Sequence, residues 1–200
     1  LYGLVLAVFN NMWTFSVQYN GAAVATVLAF SSPAMTAILS KIVFKEKFGN
    51  VKVISILLSI AGTVFVSGAY SIAVWNLNSL GIFFGLGPGF MFAVYNLQGK
   101  AAGDRSIDSW TALFYSFGIS TVVMMFFIVG NDLFIETQPI FSDVLWLGNS
   151  VLGWGVLAFL GVVPTLGGFG LYTLSIRHLS PTTSNLVATL EPLFTAIWAY

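Results

Sequence analysis

One acidic residue, Glu191, lies inside a long apolar segment that runs from about residue 182 to residue 200. Its carboxyl group falls about nine residues from either end of that segment. Burying a charge at such a depth in a bilayer costs at least about 2.5 kcal/mol. The carboxyl group is therefore expected to be protonated, paired or facing a wet cavity, where it can hold a coupling proton or line a substrate path. A structural alternative stays open, in which a protonated Glu191 hydrogen-bonds to backbone that Pro192 opens.

A second group of candidate binding residues is polar or aromatic and also lies within apolar segments. The residues of this group that join Glu191 as predicted substrate- or proton-binding residues are Ser32, Asn11, Tyr95, Asn96 and Tyr172. Asn10 and Asn11 are adjacent, so in a helix they point about 100° apart and at least one of them is expected to face the bundle interior. For every member of the group, an interhelical hydrogen bond or an interfacial anchor is the alternative role.

The surroundings of Glu191 repeat a stretch near the start of the chain. Ser31-Ser32-Pro33-Ala34-Met35-Thr36-Ala37-Ile38 returns 159 positions later as Leu190-Glu191-Pro192-Leu193-Phe194-Thr195-Ala196-Ile197. A proline inside a helix removes one backbone hydrogen bond and frees the carbonyl four residues earlier. Helix breaks are therefore predicted at Pro33 and Pro192, and further kinks at Pro164 and Pro88. Because Glu191 and Ser32 are equivalent in the repeat, the two broken segments are expected to meet at comparable depth.

The composition is that of a membrane protein. Hydrophobic residues make up 58% of the 200 residues and charged residues only 7%, with a mean hydropathy of +0.92. That leaves too little polar surface to cover a soluble globule. The chain has no cysteine and one histidine, so a metal site, a thiol nucleophile or a histidine cluster is not expected. We expect no enzymatic activity, no cofactor and no metal, and no nucleic-acid partner.

Seven segments are long and apolar enough to span a bilayer as helices. We letter them A (about 1–18), B (22–44), C (53–70), D (79–98), E (109–130), F (152–176) and G (182–200). In span D, glycines and an alanine at four-residue spacing predict a smooth packing face, formed by Gly81, Gly85, Gly89 and Ala93. The predicted fold class is all-α, a polytopic membrane helix bundle.

Charge separates the connections between these spans into two sets. Basic residues lie in the connections B–C, D–E and F–G or snorkel from the end of B: Lys41, Lys45, Lys47, Lys52, Lys100, Arg105 and Arg177. The connections A–B and C–D carry no charge, and E–F carries only acids. The positive-inside rule places the basic connections in the cytoplasm of a protein in the cell membrane.

This topology gives the repeat a direction. Spans A and B correspond to F and G, five spans later, so the two copies cross the membrane in opposite senses. An inverted repeat of five plus five spans predicts a ten-span protein, of which the chain shows the third to the ninth. Two further spans are then expected before Leu1 and one after Tyr200, with the chain a fragment.

Several short motifs carry a resemblance to a known family. They are Gly21-Ala22-Ala23-Val24-Ala25 before Ser32-Pro33, Phe44-Lys45-Glu46-Lys47, Ser59-Ile60-Ala61-Gly62-Thr63, Tyr95-Asn96 before Lys100, Leu160-Gly161-Val162-Val163-Pro164-Thr165, Leu171-Tyr172 and Leu190-Glu191-Pro192. Together they resemble the EamA-type repeats of the drug/metabolite transporter superfamily. The resemblance implies that 1–70 is the end of a first repeat and 71–200 most of a second one. It also implies a ten-helix carrier of small metabolites, often a proton-coupled exporter.

The predicted function is secondary transport of small metabolites such as amino acids, with a small-molecule solute and the lipid bilayer as partners. No phosphate-binding glycine loop followed by Lys-Ser or Lys-Thr is present, so no ATP motor is visible in the chain. Alternatives are a seven-helix receptor or another integral membrane protein without transport activity, and a homodimer stays open. Span G has no lysine for retinal, a receptor gives no reason for an inverted repeat, and an intramembrane enzyme would need paired acids or metal-ligand spacing.

Overall fold

The computed structural model describes residues 1–46, 49–66, 70–72, 75, 79–134, 148, 150–191, 194 and 197. Its helices are α1 Tyr2–Ala29, α2 Ser32–Val43, α3 Asn50–Val66, α4 Ser79–Asp104, α5 Ser109–Phe134, α6 Val151–Leu160, a π-helical segment Gly161–Gly167, α7 Gly168–His178 and α8 Pro181–Ala188. No strand occurs within these ranges. The all-α class predicted from the sequence is confirmed for this part of the chain.

Several of these helices have the length and hydropathy of a membrane span. Over the described residues, three helical stretches qualify on their own: Ser79–Asp104, Ser109–Gly130 and the continuous run Val151–His178. The bent pair α1–α2 also passes this test of length and hydropathy, and Asn50–Phe65 is a shorter apolar helix. Apolar helices of this length indicate an integral membrane helix bundle.

Helix α1 contains a reversal of chain direction at Gly21, between the predicted spans A and B. Before Gly21, contacts run down α4 as the chain advances: Tyr2 lies against Gly99, Phe9 against Phe92, Met12 against Gly87, and Asn20 donates to the carbonyl of Gly81. After Gly21 they run back up, from Leu28 at Gly85 to Ser31 at Gly89 and Thr36 at Asn96. Gly21 has φ 74° and ψ 160°, a backbone conformation that is essentially restricted to glycine.

The helix break before Pro33 has a close copy before Glu191. Phe30 ends α1 with φ −73° and ψ 6°, and its N–H donates to Thr26 over 2.9 Å. Its repeat equivalent, Thr189, ends α8 with φ −71° and ψ 0°, and its N–H donates to Asn185 over 3.2 Å. The backbone therefore breaks in the same way at positions 159 residues apart. Pro192, which was predicted to cause the second break, lies outside the described residues.

Pro88 and Pro164 have different effects on the helices that contain them. Helix α4 continues through Pro88 without a break, and α1 and α2 pack along it. Pro164 lies in the π-helical segment Gly161–Gly167, and the Thr165 hydroxyl donates to the carbonyl of Leu160 over 2.8 Å. A π-helical turn accommodates the missing proline donor and its ring without ending the helix. The predicted helix break at Pro88 is therefore corrected, whereas at Pro164 a π-helical segment separates two α-helices.

The second copy of the repeated unit also runs along α4, but in the opposite sense. Phe169 packs edge-on against Tyr95, Ile176 lies against Gly99 and Arg177 against Gly103, so α7 runs parallel to α4. The first half of α1 runs antiparallel to α4. Helix α8 in turn runs antiparallel to α2, since Asn185 bonds to Ser32 while Thr182 reaches Glu46 beyond the end of α2.

The basic residues of the described chain collect at one end of the bundle. Lys100 donates to the backbone carbonyl of Arg177 over 3.4 Å, and Lys52 donates to Ser180 just beyond it. At the same end, the Asp108 carboxylate caps α5 by accepting the N–H of Thr111 over 3.0 Å, and this hydrogen bond holds the pKa of Asp108 below its ordinary value. We call this the basic end of the bundle.

Candidate functional site

A cavity of about 390 Å³ lies where the two helix breaks meet. Its described walls come from α1, α2, α4, α7 and α8 and from the residue after the second break: Phe9, Asn10, Trp13, Ala29, Phe30, Ser32, Phe92, Phe169, Asn185, Ala188 and Glu191. Ala29 and Ala188 are equivalent in the repeat, and so are Ser32 and Glu191. We call this space the central cavity.

The central cavity joins aromatic walls to a few polar groups. Phe9, Trp13, Phe30, Phe92 and Phe169 supply most of the apolar surface. Polar groups come from Asn10, Ser32, Asn185 and Glu191. Glu191 is the ionisable residue among the described lining residues. Such a pocket suits a small amphipathic molecule, because apolar walls provide binding energy and a few polar groups set orientation.

A chain of buried side chains fixes the polar edge of the central cavity. Asn185 donates to the Thr36 hydroxyl over 2.8 Å and lies 3.3 Å from the Ser32 hydroxyl. The amide of Asn96 donates to the same Thr36 hydroxyl over 3.4 Å, and the Tyr172 hydroxyl donates to Asn96 over 2.7 Å. This network joins α2, α4, α7 and α8. Satisfied buried polar groups of this kind hold their helices in one arrangement.

The predicted site residues therefore fall into three groups. Glu191 and Ser32 line the central cavity, while Asn96 and Tyr172 lie behind it in the hydrogen-bond network. Asn11 and Tyr95 are elsewhere, and their contacts place them in the packing between helices.

Asn11 and Tyr95 make contacts that account for their polar groups. The Asn11 amide donates to the carbonyl of Ala7 over 2.9 Å and contacts the sulfur of Met124 on α5. The Tyr95 ring is 1% exposed, stacks on Tyr2 with ring centroids 4.3 Å apart, and places its hydroxyl 3.4 Å from that of Thr173. Interhelical packing was the alternative role for both residues, and their contacts in the structure are of that kind.

Asn185 is the site residue that sequence reasoning missed. It follows Pro181-Thr182-Thr183-Ser184, a polar run that reads as a turn and the start of a helix, so its own polarity did not stand out. One signal was present, because Asn185 lies four residues before Thr189 and therefore close to the second break. The phenylalanines of the cavity wall were also not predicted as binding residues, because phenylalanine is common throughout the chain.

A second cavity of about 490 Å³ opens at the basic end, between the start of α1 and the helices α4 and α5. Tyr2, Gln98, Arg105 and Tyr115 are among its lining residues. It contains none of the helix breaks and none of the predicted substrate- or proton-binding residues. Within the described part of the chain, no cluster of three or more His, Cys, Asp or Glu residues is placed to hold a metal ion.

Comparison with known proteins identifies the protein family whose model this chain matches. The model of the EamA-like transporter family matches residues 1–68 and 79–200. An uncharacterized transporter of Clostridium kluyveri is 22% identical over 98% of this chain and 60% of its own length. The uncharacterized transporter YxxF of Bacillus subtilis is 25% identical over 92% of this chain and 55% of its own length. An uncharacterized transporter of Archaeoglobus fulgidus is 24% identical, with 98% of this chain and 66% of its own length covered.

The same arrangement of helices occurs in a solved structure. A crystal structure superimposes with a TM-score of 0.73 over 98% of this chain and 64% of the other chain, at 14% identity. At that identity the similarity shows the fold alone.

The chain spans between 55% and 66% of the length of the three relatives described above.

Proposed function

Because the chain belongs to the EamA-like transporter family, we propose that it carries small metabolites, such as amino acids, across the cell membrane. In this proposal it is a secondary transporter and an exporter, coupled to protons, and not an enzyme. The observation that carries the proposal is the meeting of two equivalent helix breaks at one cavity that holds an acid. Broken helices near the middle of the bilayer are where repeat transporters bind solutes and coupling ions.

The proposed whole protein has ten spans in two inverted halves, with 1–70 ending the first half and 71–200 beginning the second. The opposite directions of α1 and α7 along α4 support this arrangement, as does the repeated backbone geometry at Phe30 and Thr189. An inverted repeat allows one half to rock against the other around a fixed site. The basic end is proposed to face the cytoplasm.

Glu191 and Ser32 are the proposed contacts for the solute or the proton. The equivalent positions carry an acid in one copy and a hydroxyl in the other, so the cavity is chemically asymmetric. A carboxylate among aromatic rings attracts an ammonium group through charge and through the ring faces. The same carboxyl group can instead bind a proton, and solute and proton would then compete for one site.

The test is an uptake and efflux screen of amino acids and other small metabolites in everted vesicles that contain the full-length protein. Glu191→Gln keeps the volume and hydrogen bonding of the side chain but removes its titration and charge. We expect coupled transport to fall at least about tenfold, which corresponds to about 1.4 kcal/mol, because the glutamine side chain can neither bind a proton nor pair with a cationic group. The pH dependence of efflux should flatten in the same variant.

Asp104→Asn is the matched control, since Asp104 pairs with Lys100 within one helix at an exposed position. This variant should transport as well as the unmodified protein at equal expression. Unchanged rates and an unchanged pH profile in Glu191→Gln would contradict the proposed role of Glu191. Absence of any solute-dependent flux across the whole screen would contradict the transport proposal itself.

A further inference from the structure

The surface on which α2 meets α8 runs from the central cavity to the basic end, and hydroxyl groups follow it on α2. Ser32, Thr36 and Ser40 are spaced four residues apart, so they share one face of the helix. All three are buried, with relative exposures of 4%, 0% and 0%. The first two bond to Asn185 on α8. We call this surface the α2–α8 seam.

A cluster of charged and hydroxyl groups closes the seam at the basic end. Glu46 forms an ion pair with Lys52 at the start of α3, and its other carboxylate oxygen accepts the Thr182 hydroxyl over 3.0 Å. Lys52 also donates to the Ser180 hydroxyl over 3.3 Å, and Ser180 caps the first turn of α8. The cluster therefore ties the loop after α2 and the start of α3 to the start of α8.

The geometry and charge of Glu46 suit this position. Lys45 adopts a left-handed conformation with φ 52°, after which the N–H of Glu46 returns to the carbonyl of Ser40 over 3.3 Å. Burial raises the pKa of Glu46, but hydrogen bonds from Lys52, Ser180 and Thr182 outweigh it and leave the pKa below its ordinary value. Glu46 is therefore ionised at neutral pH and holds the cluster together as a carboxylate.

Between the cluster and the central cavity, the seam contains a polar group that its packing does not satisfy. The Ser40 hydroxyl is buried and has no hydrogen-bond partner among the described residues, and neither has the Ser184 hydroxyl on α8. Most buried hydroxyl groups in folded proteins are hydrogen-bonded, because an unmade bond costs free energy. A purely structural seam would favour apolar residues here. A route that is wet in another conformation requires groups that bind water or solute when it opens.

We propose that the α2–α8 seam is the route between the central cavity and water at the basic end, closed in this conformation by the Glu46–Lys52–Ser180–Thr182 cluster acting as a latch. The proposal rests on the proposed function only in taking the central cavity as the solute site. It assigns Glu46 a role in opening and closing, separate from solute binding. Because the latch joins the first copy of the repeat to the second, its release would let the two halves part at this end.

Residues 1–200 contain no cysteine, and the test starts from full-length protein in which any cysteine outside this range is replaced by serine. Ser40→Cys places a single thiol in the closed seam, and the rate of its labelling by a charged, water-soluble maleimide reports opening in purified full-length protein. We expect slow labelling with the latch intact and about a tenfold faster rate after Glu46→Gln, which corresponds to about 1.4 kcal/mol. Thr182→Val, which keeps the shape and removes one hydrogen bond, should raise the rate about threefold, in proportion to the smaller loss.

A charge swap provides the rescue. Glu46→Lys combined with Lys52→Glu restores an ion pair with hydroxyl partners on α8, so labelling of Ser40→Cys should return toward the slow rate. Asp104→Asn is the control for loss of an ion pair at the same end, and Arg105→Cys is the control for an exposed thiol whose labelling should not depend on Glu46.

Three outcomes would overturn the latch. The first is an unchanged labelling rate in both Glu46→Gln and Thr182→Val. The second is an equal rise in the labelling rate after Asp104→Asn. The third is a labelling rate in the charge-swap variant as fast as that in Glu46→Gln. Labelling requires no solute, so its result stands apart from the result of the transport screen. If the screen finds no solute while Glu46→Gln still speeds labelling, the latch survives and the proposed function fails.

Discussion

Asn185 joins α8 to α2 through hydrogen bonds of its side chain. It is 1% exposed, and its amide bonds to two hydroxyl groups on the facing helix. The Thr36 hydroxyl also accepts a hydrogen bond from the amide of Asn96, so the loss of the Asn185 side chain disturbs a network of hydrogen bonds and not a single pair. In a membrane protein, such interhelical hydrogen bonds supply part of the association that the hydrophobic effect cannot supply between lipid-soluble helices.

Replacement of Asn185 by leucine should therefore destabilise the fold. Asn185→Leu keeps the volume but leaves the Ser32 hydroxyl and part of the Thr36 bonding capacity unmet, at a cost of about 1–3 kcal/mol. The measurement is thermal unfolding in detergent. Asn10→Leu is the matched control, since the Asn10 amide bonds to the carbonyl of Leu6 in its own helix. Equal loss of stability in the two variants would mean that the network contributes nothing specific.

At the scale of single residues, a site residue could be predicted where its type differs from that of the apolar residues around it. Glu191 and Ser32 were predicted because an acid and a Ser-Pro pair are rare in apolar segments, and both line the central cavity. Asn10 and Asn11 are adjacent and equally polar, yet Asn10 faces the cavity while Asn11 contacts α5. Helical geometry predicts that the two diverge but not which one turns inward, because that depends on where α5 packs.

The first helix break packs closely against α4 at a position where α4 has a glycine and therefore no side chain. A Cβ atom added to Gly89 of α4 would lie 2.9 Å from the Ser31 hydroxyl oxygen and 3.1 Å from the carbonyl oxygen of Ala29. Ala29 is the residue whose carbonyl Pro33 cannot satisfy. The opened backbone thus packs directly against the glycine face of α4, as the spacing of Gly81, Gly85, Gly89 and Ala93 predicted.

Gly89→Ala should push the break away from α4 and reduce stability by about 1–3 kcal/mol, the usual cost of overpacking. It should also distort the central cavity, since Ala29, Phe30 and Ser32 lie on the same break. Gly118→Ala is the comparison, because a Cβ atom at Gly118 of α5 meets nothing within 4 Å. Thermal midpoints of the two variants measure the difference. A fall in the Gly118 variant as large as that in the Gly89 variant would refute the packing argument.

Helix boundaries and breaks were predictable to different degrees. The caps at Asp108, Ser150 and Ser180 are local, and a short sequence is enough to suggest them. A proline, by contrast, does not determine its own effect. Pro33 stands beside a break, Pro88 lies in an unbroken helix and Pro164 lies in a π-helix. The outcome depends on what packs around each one, which a single sequence does not reveal.

At the scale of the whole molecule, charge provides the expected orientation. The basic end gathers Lys45, Lys52, Lys100, Arg105 and Arg177 from three connections that are far apart in the chain. The opposite end, at Gly21, carries no charged residue in its turn. Since the sequence spacing alone predicted this separation, the charge pattern and the segmentation into spans support one another.

Topology reporters test this orientation directly in cells. Reporters placed after Lys45, Lys100 and Arg177 should all lie in the cytoplasm, whereas those placed after Tyr19 and Asn76 should lie outside, because basic connections are retained. Reporter activity on each side of the membrane is the measurement. A cytoplasmic signal after Lys45 together with an external one after Lys100 would contradict both the predicted orientation and the predicted division into spans.

The one-residue reversal at Gly21 also bears on how the protein is made. Spans A and B are joined by a short connection without charged residues, so no charged segment has to cross the hydrocarbon after A has entered it. The two spans are then expected to enter the bilayer together as a helical hairpin, with Gly21 at its tip. A side chain at Gly21 would act at that moment, before any solute site exists, and its effect would be on the yield of inserted protein.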